Sequence, residues 1–174
     1  MNLPNRLTVL RMAMVPVYVA LLLIDFPYHA YIALGVFILT SLTDLLDGYI
    51  ARKRNLTTNF GKFMDPLADK ILVLAAMICF CQLGVMPAWA VIVVIVREFA
   101  VSGMRLVAVE QGRVIAAGWS GKVKTALTMV CLCFMHLPLP VSANWACIIM
   151  IVATTLYSGV EYFIKNRDVF KGSM

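Results

Sequence analysis

This chain is poor in charge. Only 14% of its 174 residues are Asp, Glu, Lys or Arg, whereas soluble domains carry about 25%. A water-solvated fold is thereby disfavoured, and lipid becomes the expected main solvent. The chain as a whole is 62% hydrophobic, with a mean hydropathy of +0.89. A helix needs roughly 20 apolar residues to cross hydrocarbon, so the chain has room for about six spans and almost no extramembrane domain. The expectation is an all-α, polytopic membrane protein: six transmembrane helices in one bundle, a short N-terminal amphipathic segment, and residues 1–174 as a single domain.

Basic residues are missing from three segments: "DFPYH" (25–29), "QLGVMP" (82–87) and "HLPLPVS" (136–142). All fifteen Lys and Arg lie in the other half of the expected topology. The positive-inside rule then places both termini and every basic segment in the cytoplasm. In a soluble protein a net charge of +6 would hint at nucleic acid; here its placement reads as topogenic, and no nucleic-acid partner is expected. His29 and His136 fall on the opposite side, away from any cytoplasmic chemistry.

Other features are absent too. There is no internal repeat, no G-x-x-x-G pair and no low-complexity tail, so a dimer face cannot be read directly. Arg6 and Arg11 interrupt the N-terminus, and no small-residue cleavage site follows, so a removable signal is not expected. The five cysteines include two C-x-C pairs (Cys79 and Cys81, Cys131 and Cys133). Residues two apart on a helix point in different directions and chelate poorly, so these thiols read as buried apolar residues.

The spans are expected at about 7–24, 31–50, 71–81 extended toward its N-terminus, 88 onward, 122–135 and 144–164. The third is too short alone and must recruit "DPLADK", with Asp65 as N-cap and Pro66 as first helical residue. "RKRNLTTNFGKF" before it reads as a polar connection. The fourth has only nine uncharged residues, 88–96, and must continue through "REFAVSGMR". That carries Arg97, Glu98 and Arg105 to membrane depth, with Glu98, Ser102 and Arg105 on one face. Glu98 and Arg105 are two turns apart, too far for a direct pair.

Against this scarcity stands "TDLLDGYIAR" (43–52), which closes an uncharged run of eighteen residues, 26–43. It sets Asp44 and Asp47 about 60° apart around a helix, and Asp65 and Asp69 sit about 40° apart. Each carboxylate at a helix centre costs about 2.5–3.5 kcal/mol, less near the interface, and the four repel one another. Capping accounts for Asp65 but not for two pairs on shared faces. Divalent cations turn the repulsion into attraction, since hard ions such as Mg²⁺ take carboxylate and phosphate oxygens. Two ions can grip the attacking and leaving oxygens of a displacement at phosphorus. Phosphoryl chemistry at a membrane surface is what these residues indicate.

The spacing is more specific: Asp44-x2-Asp47-Gly48-x2-Ala51-Arg52-x8-Gly61-x3-Asp65-x3-Asp69. It resembles the full signature of the CDP-alcohol phosphotransferases, membrane enzymes with six helices, usually dimeric, that pass a substituted phosphoryl group from a CDP-linked donor to an alcohol and release CMP. The resemblance implies that Asp44, Asp47, Asp65 and Asp69 hold two divalent ions, Mg²⁺ or Mn²⁺, with Asp69 as general base. Gly48 leaves room for close approach of a nucleotide or diphosphate. Arg52 can bond a phosphate bidentately, and Ala51 and Gly61 make space. Asp47, Gly48, Arg52 and Gly61 are the expected contacts of the CDP-linked donor.

"NLPNRLTVLR" (2–11), "REFAVSGMR" (97–105) and "GKVKT" (121–125) resemble the branch of that family that makes phosphatidylglycerophosphate. This implies CDP-diacylglycerol as donor, sn-glycerol 3-phosphate as acceptor and CMP as product. Arg97, Arg105, Lys122 and Lys124 are then expected to take the acceptor's phosphate, with Asn5, Thr8 and Arg113 as further candidates. A homodimer in a bacterial plasma membrane, with the active site cytoplasmic, is the implied setting. Rival readings are a cardiolipin synthase, an inositol-phosphate transferase, or an ion or proton transporter. The transporter is disfavoured because the charges gather at one end and no repeat is visible.

Overall fold

The computed structural model describes residues 3–54, 59–113, 115, 116 and 118–169. Within these, the backbone but not the side chain is described for 3–7, 44–54, 59–66 and 69. Six helices and no strand occur among the described residues: α1 (Leu3–Leu23), α2 (His29–Arg54), α3 (Asn59–Gln82), α4 (Ala88–Glu110), α5 (Trp119–Met135) and α6 (Val141–Lys165), followed by a 3₁₀ turn, Arg167–Val169. At 1.5 Å per residue they are roughly 25 to 39 Å long, spanning the range of a bilayer's hydrocarbon thickness. By length and composition α6 alone is apolar enough to cross a membrane among the described residues. In α4, Arg97, Glu98 and Arg105 break the apolar run, and α5 has only 17 residues.

Three boundaries depart from the sequence reading. The N-terminal amphipathic stretch is not a separate element, because α1 runs from Leu3 without a break. Pro4 permits this: in the first turn its missing N–H would have had no intrahelical partner anyway. Second, α3 begins at Asn59, so Asp65 is not an N-cap and Pro66 lies inside the helix. Third, the polar connection shrinks accordingly to residues 55–58, which lie outside the described residues.

The chain divides into two compact units. The first comprises residues 1–84 with 133–138, and in it α1 packs against α2 and α3. Its core includes Tyr18, Leu22, Phe37, Leu72, Met77 and Phe80. His136, expected in an outer loop, is instead buried in this core. Its Nε2 lies 2.9 Å from the Tyr18 hydroxyl, and the Phe80 ring meets it edge-on at 4.9 Å. A buried tyrosine hydroxyl needs a polar partner, and the imidazole supplies it. His29 is likewise not in a loop: it opens α2, and its Nδ1 is 3.1 Å from the Leu22 carbonyl oxygen at the end of α1.

The second unit holds α4, most of α5, α6 and the 3₁₀ turn. α4 packs against α6, and Val101, Met104, Ala108, Tyr162 and Val169 form one buried cluster. α4 ends in a Schellman motif. Gly112, at φ +72°, donates to the Val109 carbonyl at 2.9 Å, and Arg113 N–H reaches Ala108 at 2.9 Å. Glycine takes that left-handed conformation without strain. The five cysteines carry no disulfide.

Candidate active site

In the first unit, the backbone carries Asp44, Asp47, Gly48 and Arg52 on α2, and Gly61, Asp65 and Asp69 on α3. The two helices pack against each other. Each aspartate pair therefore sits on one unbroken helix, the condition for its members to share a face. The side chains of these residues, and of Asn5, lie outside those described. Just before Asp44, the hydroxyls of Thr40, Ser41 and Thr43 donate back to carbonyls one turn earlier at 2.7–3.0 Å. Such back-bonding satisfies hydroxyls within an apolar stretch. The donor set offered by the four aspartates is all carboxylate oxygen, the chemistry hard divalent ions require. Thr8 is fully buried on α1.

The second unit holds the other candidates, with their side chains described except where noted above. Arg97, Glu98 and Lys124 form a buried triad. One carboxylate oxygen, Glu98 Oε1, accepts from Arg97 Nη1 at 2.8 Å and from Lys124 Nζ at 2.7 Å. The three side chains are 13%, 14% and 5% exposed. Such burial is tolerable only because the charges meet: removing one partner of a buried pair costs about 3–5 kcal/mol. Gly159 makes room for Arg97: a Cβ there, on α6, would meet Arg97 Cγ at 3.1 Å.

Arg105 is separate from this triad. Its Nε donates to the Tyr162 hydroxyl at 3.0 Å, and the guanidinium stands 5.4 Å from the centre of that ring. The sequence had left Arg105 without a protein partner; Tyr162, 57 positions away, provides one. Lys122 is exposed. Arg113, also exposed, borders a cavity of about 360 Å³ lined by Ser120, Glu161, Tyr162, Lys165 and Asn166 among others. Lys165 and Glu161 are paired at its edge. The expected acceptor residues are therefore distributed: Arg97 and Lys124 converge, while Arg105 bonds Tyr162, which lines the same cavity as Arg113. Tyr162 carried no sequence signal. Glu98 did, as an acid beside a base in a charge-poor helix.

Among the described residues no group of three or more His, Cys, Asp or Glu side chains gathers. The chemistry of this unit is cationic, suited to phosphate oxygens.

A family described as CDP-alcohol phosphatidyltransferase matches residues 1–157. The chain is 45% identical to the CDP-diacylglycerol–glycerol-3-phosphate 3-phosphatidyltransferase of Bacillus subtilis, over 99% of this chain and 98% of that one. Proteins with the same name from Pseudomonas fluorescens and Salmonella typhimurium are 34% and 32% identical. Those similarities cover 93% and 95% of this chain and 88% and 95% of the relatives.

Proposed function

Because the chain belongs to the CDP-alcohol phosphatidyltransferase family, we propose that it transfers the phosphatidyl group of CDP-diacylglycerol to sn-glycerol 3-phosphate, giving phosphatidylglycerophosphate and CMP. One observation carries the choice of acceptor: the Bacillus subtilis relative bears that activity in its name and resembles this chain from end to end. The buried Lys124 and the partly buried Arg97 and Arg105 of the second unit support it, since a neutral alcohol would not need them.

Asp44, Asp47, Asp65 and Asp69 would hold two divalent ions, Mg²⁺ or Mn²⁺. When bound, these supply positive charge that neutralises the diphosphate and the departing CMP. Asp47, Gly48, Arg52 and Gly61 contact the donor, with Arg52 bonding a phosphate. Arg97, Arg105, Lys122 and Lys124 bind the acceptor's phosphate, and Asn5, Thr8 and Arg113 complete its surroundings. Asp69 takes the proton from the acceptor's C1 hydroxyl. That oxygen forms the new bond to the phosphorus bearing diacylglycerol, the bond from that phosphorus to CMP breaks, and CMP leaves. Transfer is direct, as neither Ser, Cys nor His belongs to the acidic signature.

All six helices act as spans of one membrane domain spanning residues 1–174, with the basic segments and the active site cytoplasmic in a bacterial plasma membrane, and two chains form the working dimer. Outward-facing apolar side chains support the lipid setting: Ile92, Val96, Phe99 and Leu106 on α4, and Ile149, Leu156, Val160 and Ile164 on α6, are all more than half exposed. In water such surface would be an aggregation liability.

An acceptor panel on the purified protein tests the proposal. Glycerol 3-phosphate is expected to give CMP release at least about tenfold faster than inositol phosphate or phosphatidylglycerol, a margin that a site matched to one phosphorylated alcohol supplies. Preference for either alternative would reassign the chain to another branch.

A further inference from the structure

Glu98 belongs to no role assigned above, yet it holds two of the proposed acceptor-binding cations on a single oxygen. We infer that Glu98 is the positioning residue of the acceptor site, fixing Arg97 Nη1 and Lys124 Nζ close enough together to grip one phosphate group. The inference rests on the acceptor-binding reading of Arg97 and Lys124.

Three observations carry it. Both cations bond the same atom, Glu98 Oε1, at 2.8 and 2.7 Å, so their nitrogens are held side by side instead of on opposite ends of a carboxylate. Unrestrained, two buried cations would repel each other apart. Arg97 Nε is buried with no hydrogen-bond partner among the described residues, a donor withheld from water that an added phosphate oxygen would satisfy. Finally, the formal charges of these three side chains sum to plus one. An acidic residue alone would repel the acceptor, but a carboxylate outnumbered by the cations it organises leaves them net attractive to a phosphate monoester, whose charge is about −1.5 to −2 at pH 7.

The backbone is arranged for this geometry. Arg97 and Glu98 are consecutive on α4 and meet directly, and Lys124 reaches the same carboxylate oxygen from α5. Gly159 leaves the space that the Arg97 side chain fills. Ser102 donates to the Glu98 carbonyl one turn earlier, at 2.7 Å.

The test is steady-state kinetics on the full chain, with inorganic phosphate as a competitor of the acceptor. Glu98→Gln is expected to raise KM for glycerol 3-phosphate about tenfold or more, the scale of a lost charge-assisted hydrogen bond. The inhibition constant of phosphate should rise in parallel, while KM for CDP-diacylglycerol stays within about twofold. Glu98→Asp, which keeps the charge but shortens the reach, should fall between, and it carries the test by itself if Glu98→Gln does not fold. An unchanged KM for glycerol 3-phosphate, an equal rise for both substrates, or tighter phosphate inhibition would each overturn the inference. Lys124→Ala separates it from its premise. If that variant leaves the acceptor KM unchanged, the acceptor-binding reading has failed; if it raises KM while the Glu98 variants do not, only the role of Glu98 has.

Discussion

Asp69→Asn is expected to lower kcat for CMP release by about a thousandfold or more. General-base removal alone costs about 10²–10⁴-fold, and this carboxylate is also assigned to the metal site. Asn keeps the shape of the side chain but cannot accept the hydroxyl proton, and it contributes no negative charge to hold a cation. The substitution lies within α3, a 24-residue helix, and a single Asn costs a helix well under 1 kcal/mol. The far-ultraviolet circular dichroism of the variant should therefore match the parent. A variant retaining more than about a tenth of the parental kcat would remove Asp69 from the role of base, since that loss is smaller than general-base catalysis supplies.

Removal of divalent cations by a chelator is the second large effect expected. Turnover should fall below about 1% and return with Mg²⁺ or Mn²⁺, because several kcal/mol of charge stabilisation at the reacting phosphorus would be lost. Stability should follow the same titration. In the proposed metal site the four carboxylates of α2 and α3 would repel one another without a cation among them, and an ion that binds only the folded state stabilises it in proportion to the logarithm of its concentration. The melting temperature should thus rise with Mg²⁺ in the parent and rise less in Asp44→Asn or Asp65→Asn. Chelator-resistant turnover would point away from the acidic signature as a metal site.

What could be read in the sequence was what depends on counting along the chain. The continuation of α4 through Arg97, Glu98 and Arg105 follows from length: residues 88–96 are too few to cross hydrocarbon, and the helix indeed runs to Glu110. The spacing of the aspartates was legible for the same reason, since helical periodicity is local. The start of α3 was misread because Asp-Pro imitates an N-cap and first helical residue. Capping preferences are worth only about 1 kcal/mol, and the helix extends through the pair to Asn59.

Contacts between distant positions were not legible at all. His136 bonds Tyr18 across 118 positions, Tyr162 takes Arg105 across 57, and Lys124 finds Glu98 across 26. No spacing rule connects such pairs. The turn residues of "HLPLP" showed where α5 ends but not that the histidine folds back into a core of aromatic rings. Likewise, Arg97 and Lys124 were both visible as cations that need anions, whereas their convergence on one carboxylate oxygen appears only in three dimensions.

The proposed reaction requires that Asp44, Asp47, Asp65 and Asp69 together form a site for two divalent ions. Titrating the purified protein with Mn²⁺ in the presence of CMP, and reading the free ion by its electron paramagnetic resonance signal, tests this most directly. Two carboxylate-rich positions predict about two Mn²⁺ per chain at saturation, with fewer in Asp65→Asn. Saturation at one ion or none, or a stoichiometry that the aspartate variant leaves unchanged, would contradict it.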